Sequence, residues 1–142
     1  MPRPKRKKPK PRTKTGVGVL VISTKKPGKM LLVTSRHSKS WALAKGNIDR
    51  SLGPLESARR EAFEEAGVRG RMSSVPIGSY IHHKSTGDVF RVRVFKMHVR
   101  TELAEWPEKK QRQRRWVSVR SALKLIANSG LRRLIGAQLP RA

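Results

Sequence analysis

The chain of 142 residues contains no cysteine and carries 34 Lys and Arg against nine Asp and Glu, a net charge of +25 at pH 7. The length suits one domain with a buried core. The missing cysteines exclude disulfides and thiolate metal sites, and no apolar run approaches a transmembrane span. We therefore expect a cytoplasmic protein with a polyanionic partner, either nucleic acid or another densely phosphorylated molecule. The charge alone leaves an alternative open, in which the basic residues form a solvated surface without a specific partner.

The first 14 residues, MPRPKRKKPKPRTK, contain eight basic residues and no acid. Such a run cannot bury enough apolar surface to offset its ordering entropy, so it predicts a disordered basic tail. No apolar segment follows the charges, and we therefore do not expect a secretory signal peptide. The predicted organisation is a tail over residues 1–14 and one domain over residues 15–142.

The first elements of the domain form a predicted hairpin. TGVGVLVIS (15–23) is apolar and β-branched, MLLVTS (30–35) is the returning strand, and KKPGK between them is turn chemistry. Residues 36–53 are polar and glycine-punctuated, which predicts a loop. A helix is expected to begin at Pro54, which suits the first helical turn, and to stop at Gly67, which suits a left-handed C-terminal position.

The second half of the chain repeats the order of strands followed by helix. Residues 75–84 and 89–99 predict a second hairpin around STGD, and alternating basic and apolar residues in its second strand predict one buried face. Residues 101–113 predict a loop and residues 114–119 a short strand. Helices are predicted at 121–130 and 131–139. This order indicates a mixed sheet with helices packed on it.

The scarce acidic residues are concentrated in one place. Four of the nine acids lie within ten residues, at Glu56, Glu61, Glu64 and Glu65. On a helix the last three are spaced i, i+3 and i+4, so they share one face. Three carboxylates at that spacing predict a site for a hard divalent cation, above all Mg²⁺, which prefers oxygen ligands. The alternative is a solvated acidic face that pairs with neighbouring arginines, namely Arg59, Arg60 and Arg69.

The sequence around this helix, GNIDRSLGPLESARREAFEEAGV, resembles the Nudix box, in which a glycine, a glutamate and the pattern REUxEExGU (U apolar) follow at fixed spacing. The matching residues are Gly46, Arg60, Glu61, Ala62, Glu64, Glu65, Gly67 and Val68. Leu52 stands where the first box glutamate belongs, and Glu56 lies four residues too late to replace it. WALAKG before the box and WPE…RRWVSV after it are similar to segments of Nudix proteins that act on diphosphoinositol polyphosphates and dinucleoside polyphosphates. Ala44 replaces the usual proline of the first segment.

The resemblance implies an α/β/α sandwich with a mixed sheet, and a hydrolase that cleaves phosphoanhydride bonds with Mg²⁺, or Mn²⁺, as cofactor. It implies that Glu61, Glu64 and Glu65 hold the metal, with the carbonyl of Gly46 as a further oxygen ligand. The residues that the resemblance makes catalytic are Glu61, Glu64 and Arg60. Among them Glu61 is a candidate general base, and Arg60 is expected to orient a glutamate rather than to touch substrate.

The resemblance also implies an additional acid from a distant loop, for which Glu105 and Glu108 are the candidates. Leu52 is expected to affect the rate more than the type of reaction, because it removes a possible partner of Arg60.

Basic residues on the segments expected to surround the site are candidates for phosphate binding, since Arg offers a bidentate fork and Lys a compact charge. The candidate substrate-binding residues are Arg36, His37, Lys39, Trp41, Lys45, Arg91 and Arg93. Trp41 could stack on a base, or it could pack over the sheet. His82 and His83 could also touch phosphate, although a strand histidine is more often structural.

The expected partner is a polyphosphorylated small molecule, with nonspecific nucleic-acid binding through the tail and no membrane contact. Two other functions stay open. One is a nucleic-acid-binding protein that uses a Nudix scaffold without catalysis, and the other is a ribosome-associated structural protein.

Overall fold

The computed structural model describes residues 13–84 and 86–138, in which eight strands form one mixed sheet. The strands are β1 (Thr13–Ile22), β2 (Lys29–Thr34), β3 (Trp41–Ala42), β4 (Ala44–Asn47), β5 (Val68–Met72), β6 (Gly78–His83), β7 (Val89–Glu102) and β8 (Arg114–Ser118). The helices are α1 (Gly53–Glu61), a π-helical turn (Ala62–Ala66) that continues it, α2 (Val119–Leu125) and α3 (Ser129–Gln138). Within the described ranges, each helix is too short or too polar to cross a bilayer.

Helices cover both faces of the sheet. β1 and β7 run parallel at its centre, and the other pairs are antiparallel. The order β3-β2-β1-β7-β5 is extended by β4 on β1, β6 on β7 and β8 on β2. Ala58 and Ala62 pack against one face, whereas Ala122, Leu131 and Ile135 of α2 and α3 pack against the other. This architecture confirms the predicted α/β/α sandwich with a mixed sheet.

The candidate site lies where β1 and β2 separate. These strands pair with each other only at Val21–Leu31 and Ile22–Met30. Beyond that point β1 pairs with β4, and β2 pairs with β3. The predicted loop over residues 36–53 is therefore wrong for β3 and β4. Strands of two and four residues are too short to show a period in the sequence, and they form because the diverging strands leave unpaired backbone edges.

The acidic helix begins and ends as predicted, within one residue. It begins at Gly53, whose φ is +79°, with Pro54 in its first turn, and it ends before Gly67, whose φ is +64°. Its last turn is π-helical, and the Gly67 N–H reaches back to the carbonyls of Ala62 and Phe63. Single π turns in helices are frequent at functional sites.

Other predicted boundaries change for reasons of tertiary pairing. Thr13 and Lys14 belong to β1 rather than to a tail, because β7 is long enough to pair with them, and residues 1–12 lie outside the described residues. The hairpin of β6 and β7, strand β8 and the last helix are confirmed, while β5 was not predicted. The helix predicted over 121–130 ends at Leu125. Asn128 does not close it, and instead caps α3 by accepting the Leu131 N–H at 2.9 Å.

Candidate functional site

Two of the three box glutamates meet at β4. The carboxyl group of Glu61 lies against the Cα of Gly46, so that a Cβ at that position would overlap it. Glu65 is 4% exposed, and its Oε1 accepts the backbone N–H of Lys45 at 3.3 Å. The carboxyl groups of Glu61 and Glu65 also interact by a hydrogen bond. Because Gly46 has no side chain, the carboxyl group of Glu61 can lie close to the sheet.

Burial is the main influence on this carboxyl pair. It raises the pKa of Glu65 to about 8, and the hydrogen bond with Glu61 acts in the same direction. The guanidinium of Arg112, whose Nη2 lies 3.5 Å from Glu65 Oε2, opposes the rise without cancelling it. Burial also raises the pKa of Glu61. Burial and the hydrogen bond therefore favour the protonated form of Glu65 near neutral pH when no cation is bound.

Glu64 faces a different partner. Its Oε1 lies 3.8 Å from the Nε of Arg60, and the Nη1 of Arg60 donates to Asp49 Oδ2 at 3.2 Å. The predicted shared face is therefore incomplete, since Glu64 pairs with Arg60 one turn earlier while Glu65 points inward to β4. Glu64 is the box glutamate that pairs with Arg60, so the predicted orienting role of Arg60 concerns Glu64.

A cavity of about 240 Å³ opens beside Glu65. Its lining is cationic, with Arg36, Lys45, Lys84 and Arg112 around the single carboxylate of Glu65, and His37 and His82 also line it. Phe90 and Val92 form its apolar floor together with Gly46 and Asn47 at the edge. Burial lowers the pKa of Lys45, and the nearby charges of Arg112 and Lys84 add to that effect while Glu65 opposes it. The cavity suits an anion that carries more than one phosphate group.

The predicted substrate-binding residues divide into two groups. Arg36, His37 and Lys45 line the cavity, as expected. Arg91 and Arg93 alternate with Phe90 and Val92 along β7, so they point to the opposite face, and Arg91 Nε donates to Ser79 Oγ.

Two further predicted residues lie outside the cavity. Trp41 packs against the core that α2 and α3 cover, which favours its packing role. Lys39 lies in the exposed turn before β3, with a φ of +52°.

Sequence reasoning offered two acids of the loop after β7 but missed Arg112, which belongs to the same loop and reaches the site. Arg112 contacts both Glu65 and Glu108, the latter at 3.0 Å between Nε and Oε1. The Glu108 N–H donates to the carbonyl of Glu64 at 3.0 Å, and its charge contributes to the raised pKa of Glu61. Glu105 is instead exposed and pairs with Lys109. Of the two candidate loop acids, Glu108 is the one beside the glutamates.

The donor set fits a divalent cation, although in the described part of the chain no group of three or more His, Cys, Asp or Glu is already gathered for one. Glu61 and Glu65 supply hard carboxylate oxygens, and the absence of a side chain at Gly46 lets the Glu61 carboxyl group approach the backbone of β4. Oxygen ligands of this kind are those that Mg²⁺ prefers. A bound cation would take the place of the proton on these carboxyl groups.

Comparison with known proteins connects this geometry to a family. A model described as NUDIX domain matches residues 12–137. Nudix hydrolase 12, mitochondrial, of Arabidopsis thaliana is 32% identical over 114 residues, which cover 75% of this chain and 56% of that protein. Diphosphoinositol polyphosphate phosphohydrolase 3-beta of Bos taurus is 28% identical over 110 residues, which cover 75% of this chain and 65% of that protein. The chain thus spans little more than half the length of the first of these relatives.

A solved structure supports the fold. The MutT protein from Methanosarcina mazei Go1 superposes with a TM-score of 0.73 and 20% sequence identity, and the match covers 92% of this chain and 95% of that one. The likeness concerns the path of the backbone, and the residues of the site are assigned on the contacts described above.

Proposed function

This chain belongs to the Nudix hydrolase family, and from that premise we propose that it is a Mg²⁺-dependent pyrophosphohydrolase that cleaves a phosphoanhydride bond in a polyphosphorylated substrate. The observation that carries the proposal is the cationic cavity that opens directly beside the buried Glu65, the hydrogen-bonding partner of Glu61. A cavity of this charge attracts the phosphates, and the carboxylates beside it can act on the bond between them.

The residues of the cavity bind and orient the substrate. Lys45 presents a compact, half-buried charge at the cavity wall, and Arg112 presents a guanidinium that Glu65 and Glu108 hold in place. Arg36 lies at the rim with its Nε 4.0 Å from Glu108 Oε1, and its side chain is more than half exposed. Fixed donors lose little conformational entropy when phosphate binds, which favours positioning of the scissile bond.

We assign Glu61, Glu65 and the carbonyl of Gly46 as the groups that hold the divalent cation, with Glu64 as an adjacent carboxylate. When bound, the cation supplies charge neutralisation and Lewis acidity for attack by water on phosphorus. In that attack a new P–O bond forms, the bridging P–O bond breaks, and a carboxylate takes the proton from water. Glu61 is the candidate for that base, and Glu108 is the additional acid that supports it.

The substrate class is proposed from the lining of the cavity and from the sequence segments before and after the Nudix box. The cavity lining described above is cationic with little aromatic surface, which favours a densely phosphorylated small molecule such as a diphosphoinositol polyphosphate over recognition of a base. A dinucleoside polyphosphate is the second member of the class.

The test of the proposed function is a product assay with Mg²⁺ on both substrates, with nucleoside triphosphates and sugar nucleotides as comparison substrates. Turnover of a phosphoanhydride that EDTA abolishes supports the proposal, and no turnover on any of them overturns it.

A nucleic-acid-binding role on a Nudix scaffold is the second candidate, favoured by the net charge of +25. Removal of residues 1–12 takes away seven of the 34 basic residues, so 27 remain against nine acids and the net charge stays at +18. We expect a chain that begins at Thr13 to hydrolyse its small substrate at the wild-type rate and to bind nonspecific RNA more weakly, with a shallower salt dependence. Filter binding over a salt series and the product assay measure both properties. RNA binding that is sequence-selective and unaffected by the cut favours the second candidate.

The cytoplasmic location stays a prediction that rests on the absence of cysteine. It is tested by imaging the tagged full-length chain in its own cells.

A further inference from the structure

The departure from the family pattern at Leu52 coincides with an unusual partner for Arg60. Leu52 is 41% exposed and precedes α1 without a side-chain cap, so it contributes no polar atom to the helix. Leu52 and Arg60 line the same surface depression. Arg60 turns its Nη1 to Asp49, at 3.2 Å, rather than to a residue at position 52.

Asp49 is held firmly enough to direct an arginine. Its Oδ1 accepts both the backbone N–H of Ser51 at 2.9 Å and the Ser51 hydroxyl at 2.6 Å, which leaves Oδ2 for Arg60. Its own N–H donates to the buried hydroxyl of Ser57 at 2.9 Å. Its carbonyl accepts the N–H groups of Leu52 and Gly53 in the turn that starts α1. The carboxylate therefore keeps a fixed position relative to the helix.

We infer that Asp49 is the positioning residue that replaces the missing box glutamate, because it orients Arg60 toward Glu64 and so fixes Glu64 beside the metal-binding carboxylates. Arg60 bridges the two acids, with Nη1 on Asp49 and Nε 3.8 Å from Glu64 Oε1. The side chain of Arg60 is 42% exposed, and without Asp49 it is free to turn into solvent. The inference rests on the proposed function, since it assigns Asp49 to the same site.

The test uses Asp49→Asn in the full chain, with Glu56→Gln as the matched control. Glu56 lies on the same helix, is exposed and pairs with Arg59, so its substitution removes one carboxylate charge near the same depression. Loss of an outer partner that orders the carboxylates around a metal site lowers metal affinity or activity by about 10- to 100-fold. We expect that loss in Mn²⁺ affinity, measured by electron paramagnetic resonance, and in kcat for Asp49→Asn, with both near wild type for Glu56→Gln.

The second variant is Asp49→Asn/Leu52→Glu, which returns a glutamate to the family position. Because residues 52 and 60 share one depression, we expect this carboxylate to restore Mn²⁺ affinity and kcat to within a few fold of wild type. A role in folding alone would not be rescued from position 52, so thermal unfolding of each variant is recorded alongside. Wild-type Mn²⁺ affinity in Asp49→Asn, or loss without rescue, overturns the inference. A wild-type protein that binds no Mn²⁺ at all overturns the proposed function instead.

Discussion

Replacement of Glu65 by glutamine is expected to lower hydrolysis by at least about 1,000-fold, because the loss of a metal-binding carboxylate removes several kcal/mol of transition-state stabilisation and each ~1.4 kcal/mol is about tenfold in rate. The fold should survive. Burial raises the pKa of Glu65 to about 8, so at pH 7 the metal-free side chain is already largely neutral, and glutamine has nearly the same shape. Glutamine can still accept the Lys45 N–H, but it has no proton to give up when a cation arrives.

The measurements are kcat with saturating Mg²⁺ and thermal unfolding with EDTA. Glu56→Gln is the control on the same helix and should stay within a few fold of wild type, since its side chain is exposed and pairs with Arg59. A Glu65→Gln variant that turns over at the wild-type rate would show that the buried glutamate does not hold the metal. If Glu65→Gln does not fold, Glu65→Asp tests the same role. Aspartate keeps the carboxyl group but moves it away from the backbone N–H of Lys45.

Lys45→Met is expected to reduce kcat/KM by about 10- to 100-fold for the polyphosphorylated substrate, because a charged hydrogen bond to phosphate contributes about 1.5–3 kcal/mol. Methionine keeps the length of the side chain and the backbone N–H that donates to Glu65. Burial lowers the pKa of Lys45, which means that the folded protein tolerates this cation at a cost. The substitution should therefore leave the melting temperature unchanged or raise it.

The combination of weaker catalysis and undiminished stability is what distinguishes a ligand of the substrate from a structural lysine. Lys124→Met on α2 serves as control, because Lys124 is exposed on a helix that packs away from the cavity. If Lys45→Met and Lys124→Met give the same kcat/KM, the cavity does not bind the phosphates of the substrate.

The sequence predicted the acidic helix well because its signals are local. Pro54 and Gly67 act through their own backbone angles, and the spacing of the glutamates is fixed by the helix that contains them. The same local reading could not show which partners each glutamate meets. Glu65 contacts the backbone N–H of Lys45 and the guanidinium of Arg112, and both residues lie far from Glu65 in the chain.

The substrate cavity was predictable only in part for the same reason. Lys45 is one residue from the box glycine, so its place near the site follows from the motif. Arg112 belongs to a loop about fifty residues after the helix, and no spacing rule links it to Glu65. Arg91 and Arg93 were assigned to the site by their charge, and the alternation of β7 turned them to the other face. The face of a strand that meets a site depends on its register with neighbours, which composition does not contain.

The central claim is that Glu61 and Glu65 hold a divalent cation. It is tested most directly by titrating Mg²⁺ into EDTA-treated wild-type protein in a calorimeter. Two buffers of different ionisation enthalpy give the number of protons released on binding. Burial raises the pKa of Glu65 to about 8, so below that pH a cation must displace the proton that Glu65 and Glu61 share. We expect about one proton released for each Mg²⁺ bound at pH 7, little release at pH 9, and an apparent affinity that rises with pH up to about 8 and then levels off. Absence of binding, or binding at pH 7 without proton release, would contradict a metal site at Glu61 and Glu65.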